Sequence, residues 1–211
     1  MSILESLQHY PGNYELHLTV QCPEQQDVLN FLAFCQAHKL KSLVIELSQG
    51  HYQRQVMISA RLGPEPVQAY ERICQLQSLL SQKFEIIRTK IEASILNQNI
   101  PQTNSEALLH TGYFEHHVRL QLKPNQDLEL LKQQCQTLNA HLSRNAIQTQ
   151  TDGLQERFAT QRIYQRGLNE SKQVLALFLD YCQLQQIPVL NAIQEYIIYD
   201  NGLVLDQGWA S

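Results

Sequence analysis

A chain of 211 residues holds one large or two small domains, and 43% hydrophobic against 17% charged residues excludes a disordered chain. The net charge is −4, and the 16 Lys and Arg residues are shared evenly between the two halves with no basic run, so no nucleic-acid partner is expected. No stretch approaches the roughly 20 apolar residues of a membrane span, and Met1–Gln8 lacks a basic leader and an apolar core. A soluble, cytoplasmic protein without a membrane partner is the expectation.

In chain order, residues 1–13 read as a short helix stopped at Tyr10-Pro11-Gly12. Tyr14, Leu16, Leu18 and Val20 then alternate with Glu15, His17, Thr19 and Gln21, the pattern of a strand with one apolar and one polar face. Val28, Phe31, Leu32 and Cys35 recur at helical spacing, Leu43–Leu47 and Val56–Leu62 read as strands, and Gly63-Pro64 opens a helix through Leu80. A strand from Phe84 to Ala93 closes the unit. Polar, Pro101-containing residues then form a linker.

The second half repeats the first. Tyr14–Gln21 aligns without a gap to Phe114–Gln121, and the same offset gives the identical pairs Glu15/Glu115, His17/His117, Asp27/Asp127 and Cys35/Cys135. A strand at 113–122 precedes a helix from Asp127, a strand at 140–147, a turn at Asp152-Gly153 and a return strand at 156–164. A helix capped by Ser171 and a strand at 189–199 complete it. The tail beyond Asp200 has no counterpart, but Leu203, Leu205 and Trp209 are apolar enough to dock back.

The expected fold class is therefore α+β, a tandem duplication of a ferredoxin-like β-α-β-β-α-β unit, each antiparallel sheet carrying both helices on one face. The domains would be residues 1–96 and 113–211, with 97–112 between them. In each unit the other sheet face stays open, so a homodimer through the open faces is one possible partner arrangement.

By strand phase, Leu18, Val20, Val118 and Leu120 should lie beneath helices, while His17, Thr19, His117 and Arg119 point the other way. His116 shares the inward phase and reads as a hydrogen-bonded core histidine. If the open faces meet, two histidines and several carboxylates would face one polar cleft. If they do not, the same residues are an ordinary solvated sheet face.

Two candidate sites follow. Arg144, Asn145, Arg157 and Arg162 surround the second-half hairpin where the first half is apolar. With His117 they suit a small phosphorylated or carboxylated ligand at the second repeat or between the repeats, although Arg157 and Arg162 differ in strand parity. A metal set of His17, His117, Glu15 and Glu115 is chemically possible, but no spacing supports it, so no metal ligand is assigned and the cofactor stays unspecified. The five cysteines are odd in number and contain no C-x-x-C pair, which indicates neither zinc nor a redox dithiol.

His17-Leu18-Thr19-Val20 resembles the H-x-[T/S]-x signature of the two-histidine phosphoesterases. That resemblance implies catalytic roles for His17, Thr19 and His117, one imidazole acting as general base and the other as general acid on a phosphate ester. His117-Val118-Arg119-Leu120 departs from the signature, with Arg in place of Thr or Ser, and His141-Leu142-Ser143 fits its letters but not its symmetry. Other nucleotide and hydrolase motifs are absent, and a purely structural or protein-interaction module is the third reading.

Overall fold

The computed structural model describes residues 1–50, 52–147 and 154–209. The first half comprises α1 (Ile3–His9), β1 (Tyr14–Val20), α2 (Gln25–Ala37), β2 (Lys41–Leu47), β3 (Arg54–Leu62), α3 (Pro66–Leu80) and β4 (Ile86–Ser94). After the short α4 (Asn104–Ala107) come β5 (Tyr113–Leu122), α5 (Leu128–Thr137), β6 (Ala140–Asn145), β7 (Gln155–Tyr164), α6 (Leu168–Leu184) and β8 (Val189–Asp200). A 3-10 turn, Leu203–Asp206, follows.

These strands do not make two open sheets. They close into one antiparallel barrel in the order β1-β3-β2-β6-β7-β5-β8-β4, so the expected open-faced tandem ferredoxin-like architecture is corrected to a closed eight-stranded barrel. The joints are β2 against β6, where Ile45, Glu46 and Leu47 face Asn145, Arg144 and Ser143, and β4 against β8, where Lys90 faces Asp200 and Ser94 faces Glu195. The physical reason is the edge problem. An open four-stranded sheet leaves unpaired backbone donors and acceptors on both outer strands, and closure satisfies all four edges at once. The segment 97–112 thus runs between two parts of one barrel rather than between independent sheets.

Apolar residues on the outer face of the barrel pack under the helices. Leu16, Leu18, Ile58 and Ile91 form a core with Phe31, Ile73, Leu76 and Leu80, and Val118, Leu120 and Ala159 form another with Leu131, Phe178 and Cys182. Each fully buried Leu or Phe contributes roughly 1.5–3 kcal/mol relative to exposure, which fixes strand phase firmly. The expected phase of Leu18, Val20, Val118 and Leu120 agrees with their burial.

One local expectation changes. Ser171 does not cap α6, whose N-cap is Gly167; its hydroxyl is instead 2.7 Å from Nε2 of the buried His116, whose Nδ1 meets Gln161 Oε1 at 3.1 Å. The Asp152-Gly153 turn lies outside the described residues.

The tail covers one end of the barrel. Asp206, 1% exposed, accepts from Gln55 at 2.6 Å and pairs with Arg88 at 2.8 Å and Arg162 at 2.7 Å. Trp209 donates its indole N–H to the Leu142 carbonyl at 3.2 Å. Gly50, at φ +103, lets this segment approach: a Cβ there would stand 3.1 Å from Trp209 Cβ, in a backbone conformation L side chains rarely adopt. At the other end, exposed Lys41 and Arg61 flank half-buried Glu15. Among the described residues no helix is long and apolar enough to cross a membrane.

Candidate functional site inside the barrel

Closure turns the polar faces of both half-sheets inward. Around a cavity of about 350 Å³ stand Glu15, His17, Lys90, Glu92, Glu115, His117 and Glu195, contributed by the four contiguous strands β1, β4, β8 and β5. The facing strands β3, β2 and β7 present an apolar patch of Leu43, Ile45, Leu47, Met57 and Phe158, with polar side chains such as Gln55, Asn145 and Thr160 around it. One wall is charged, and the opposite wall carries the apolar patch. The register explains the pairing of like residues: Glu15 lies beside Arg61 and Glu92, as Glu115 lies beside Arg162 and Glu195.

At the centre Glu92 gathers both imidazoles. His17 Nε2 is 3.1 Å from its Oε2, and His117 Nε2 is 4.0 Å from its Oε1. His117 Nε2 also lies 3.5 Å from Glu115 and 3.9 Å from Glu195. Lys90 bridges Glu92 at 2.7 Å and Glu115 at 2.9 Å, and its position opposite His17 on β1 is taken by Ile193 opposite His117 on β5. Only one lysine therefore serves both clusters of carboxylates.

Burial alone would raise the Glu92 carboxyl, but the Lys90 ammonium and the contact with His17 outweigh it and hold it well below the usual carboxylate range. Glu115 is likewise held low, against its burial, by Lys90 and Arg162. For Lys90, burial disfavours the charge, and Glu115 and Glu92 overcome it to hold the ammonium above its ordinary range. Glu195 is the exception. Burial first, then the neighbouring Glu92 charge, push it up to about 9, so it keeps a proton at neutral pH beside an ionised carboxylate. Burial lowers His117, which is neutral in the same range.

Sequence reasoning placed His17, Thr19, His117 and Arg162 on the open, helix-free sheet faces, and barrel closure brings all four to one lumen. It splits the basic cluster. Arg144 pairs with Glu46 at 2.5 Å across the β2–β6 joint, and Arg157 contacts Gln155 and the Glu156 carbonyl. Both line a separate outer groove, with Asn145 shared between groove and lumen. Arg162 is committed to Asp206 and Glu115 and sits 5.6 Å from the Tyr113 ring and 5.7 Å from the Trp209 ring. Arg119 pairs with Glu156 at 2.6 Å.

The sequence reading missed Lys90, Glu92 and Glu195. Lys90 and Glu92 alternate with Ile91 and Ala93, and Glu195 precedes the apolar pair Tyr196-Ile197. That alternation carried the signal, had the last strand of each half been read for its inner face.

No family model matches the chain, and no curated protein matches it. Solved structures similar to it include a putative glycine cleavage system transcriptional repressor, at 11% identity over 87% of this chain and 96% of that one, with a TM-score of 0.31. A putative monooxygenase from Fusobacterium nucleatum subsp. nucleatum matches at 9% identity over 95% and 96%, with a TM-score of 0.32. A mutant chlorite dismutase from Candidatus Nitrospira defluvii, in complex with cyanide, matches at 11% identity over 98% and 99%, with a TM-score of 0.28. Similarities this low carry no argument about what the chain does.

Proposed function

We propose that the chain binds a small molecule inside the barrel lumen and that the Glu92, His117 and Glu195 group serves it as a proton donor and acceptor. The observation that carries this reading is the amphipathic cavity itself. A space of about 350 Å³ with an apolar patch on one side and a wall of converging imidazoles and carboxylates on the other fits a compact molecule with an apolar body and a hydrogen-bonding head. Glu195 has the proton to give and neutral His117 can take one, so adjacent groups are poised in opposite senses.

The head group is neutral or cationic. An anionic ligand at this site would find the buried lumen cations already taken, since Arg88, Lys90 and Arg162 each face at least two carboxylates, which leaves the exposed Lys41 and Arg61 at one end. The two-histidine phosphoesterase reading is supported by the convergence of His17 and His117 on Glu92. It ranks second because a phosphate ester would also meet Glu15, Glu92, Glu115 and Glu195.

Thermal-shift screening of neutral, cationic and phosphorylated small molecules tests the proposal, using wild type and Ile193→Trp, which narrows the lumen from a position that is 44% exposed. Neutral or cationic molecules should stabilise wild type, by about 2.7 kcal/mol at a hundredfold excess over Kd, and the variant should lose that gain. Stabilisation confined to phosphorylated compounds, or unchanged by Ile193→Trp, would refute it.

A further inference from the structure

We infer that the polar wall of the lumen is a binding site for one divalent first-row transition cation, held by Glu92, His117 and Glu195 with His17 beside them. The inference rests on the lumen reading above and concerns the loaded protein: with the ion bound, Glu92, His117 and Glu195 are ligands, and their proton donor and acceptor roles belong to the ion-free state.

Geometry is the first argument. One ligand atom each from Glu92, His117 and Glu195 lies within 4.8 Å of the others. Two ligand atoms bound to one such ion at about 2.1 Å stand roughly 3.0–3.4 Å apart. The His117 Nε2 separations of 3.9 Å to Glu195 Oε2 and 4.0 Å to Glu92 Oε1 exceed that spacing by about 0.5–1 Å. The ligands come from three adjacent strands, β4, β8 and β5, so the barrel fixes their spacing and leaves only side-chain torsions to settle.

Charge is the second. The lumen cations Arg88, Lys90 and Arg162 face Glu92, Glu115, Asp200 and Asp206, and every one of these side chains is at most 9% exposed. Glu195 is a further carboxylate, and among the described residues no lysine or arginine pairs with it. With that carboxylate ionised the enclosed set is short of two positive charges, which is what a divalent cation supplies. Buried uncompensated charge is expensive, and coordination is one of the few ways to relieve it.

An unsatisfied acceptor is the third. Glu115 is 2% exposed and its Oε2 makes no hydrogen bond, although Lys90 at 2.9 Å and Arg162 at 3.4 Å stand beside it. Its Oε1 lies 3.5 Å from His117 Nε2, beside the proposed ion. The His117 ring is held from behind by Thr160, whose Oγ1 lies 3.2 Å from Nδ1, which leaves Nε2 for the ion, while Lys90 holds Glu92 Oε1. Mixed imidazole and carboxylate ligands suit manganese, iron, cobalt or zinc rather than magnesium or calcium.

The test is a titration of the full chain with Co²⁺ alone, read by visible absorption and by paramagnetic broadening of histidine ring signals. Saturation at one equivalent is expected, with the His17 and His117 rings broadened before those of His9, His38 and His110. Glu195→Gln and His117→Ala should each weaken affinity by at least tenfold, and Thr160→Val by about tenfold. Co²⁺ that fails to bind wild type, or that binds both ligand variants as tightly as wild type, overturns the inference. Broadening at the other histidines with His17 and His117 untouched also overturns it, and needs no variant. Because the probe is the metal alone, the result stands apart from whether any organic ligand is found, so failure here leaves the small-molecule screen to be judged separately.

Discussion

Replacing Glu195 by Gln should flatten the stability of this protein against pH and stabilise it under mildly alkaline conditions. In the folded chain the Glu195 carboxyl is pushed up to about 9 by burial and by Glu92, against 4.5 for an unperturbed group. Between those values the native state holds a proton that the unfolded state has released. Stability must therefore fall as pH rises through the window and level off above about 9. The limiting slope is about 1.4 kcal/mol per pH unit, so roughly 2 kcal/mol is lost between about pH 7 and 8.5. Glutamine keeps the shape and can donate to Glu92 without ionising. At about pH 8 the variant should gain on the order of 2–5 kcal/mol, the lower end applying if water relaxes around a carboxyl that is 16% exposed. Urea unfolding of both proteins at several pH values, in the presence of a metal chelator, measures this directly. Above about pH 7.5 the buried histidines do not interfere, because burial lowers His116 and His117 in the folded chain and unfolded histidine has also lost its proton there. Parallel pH profiles for wild type and variant would refute the account of Glu195 as a protonated carboxyl.

His116, lowered to about 4 by burial, should contribute the opposite slope at lower pH: stability falls as pH drops from about 6.5 to 4, and His116→Gln should remove up to about 1.4 kcal/mol per pH unit of that loss in urea titrations. Asp206→Ala leaves the Arg162 guanidinium with only its longer contact to Glu115 and strips one carboxylate from Arg88, so it should cost about 3–5 kcal/mol in chemical denaturation and unquench Trp209 fluorescence as the tail lifts. By contrast Arg144→Ala, at the half-exposed pair with Glu46, should cost no more than about 1 kcal/mol in the same assay.

Much of the local structure was legible because the outer-face apolar residues carry it. The alternation Leu16, Leu18, Val20 and its counterpart Val118, Leu120, Leu122 sets each strand phase, and that phase in turn places His17, Thr19 and His117 inside. Barrel closure was not legible. The joints Glu46 to Arg144 and Lys90 to Asp200 are made by backbone hydrogen bonds, which leave no mark on composition or periodicity. An inward polar face also reads like a solvated one, since Glu15 and His17 look the same in sequence whether they meet water or Glu92. The arginine cluster failed for a related reason: Arg157 and Arg162 differ in parity, and parity sent one to the outer groove and the other under Asp206. The tail was expected to dock, and Asp206 was a legible salt-bridge partner for the second-half arginines, as its pair with Arg162 shows, but nothing local told that it would also reach Arg88.

Closure is the central claim, since the lumen and every group in it depend on two strand pairings between the halves. Backbone proton NOEs across Leu47–Ser143 and Ala93–Tyr196, together with slow amide exchange at both joints, test it most directly. The closed barrel predicts cross-peaks at both joints and protection comparable to that between β1 and β3. Rapid exchange along β2 and β4 with no NOE to β6 or β8 would contradict it, and would return the two histidines to separate solvent-facing sheets.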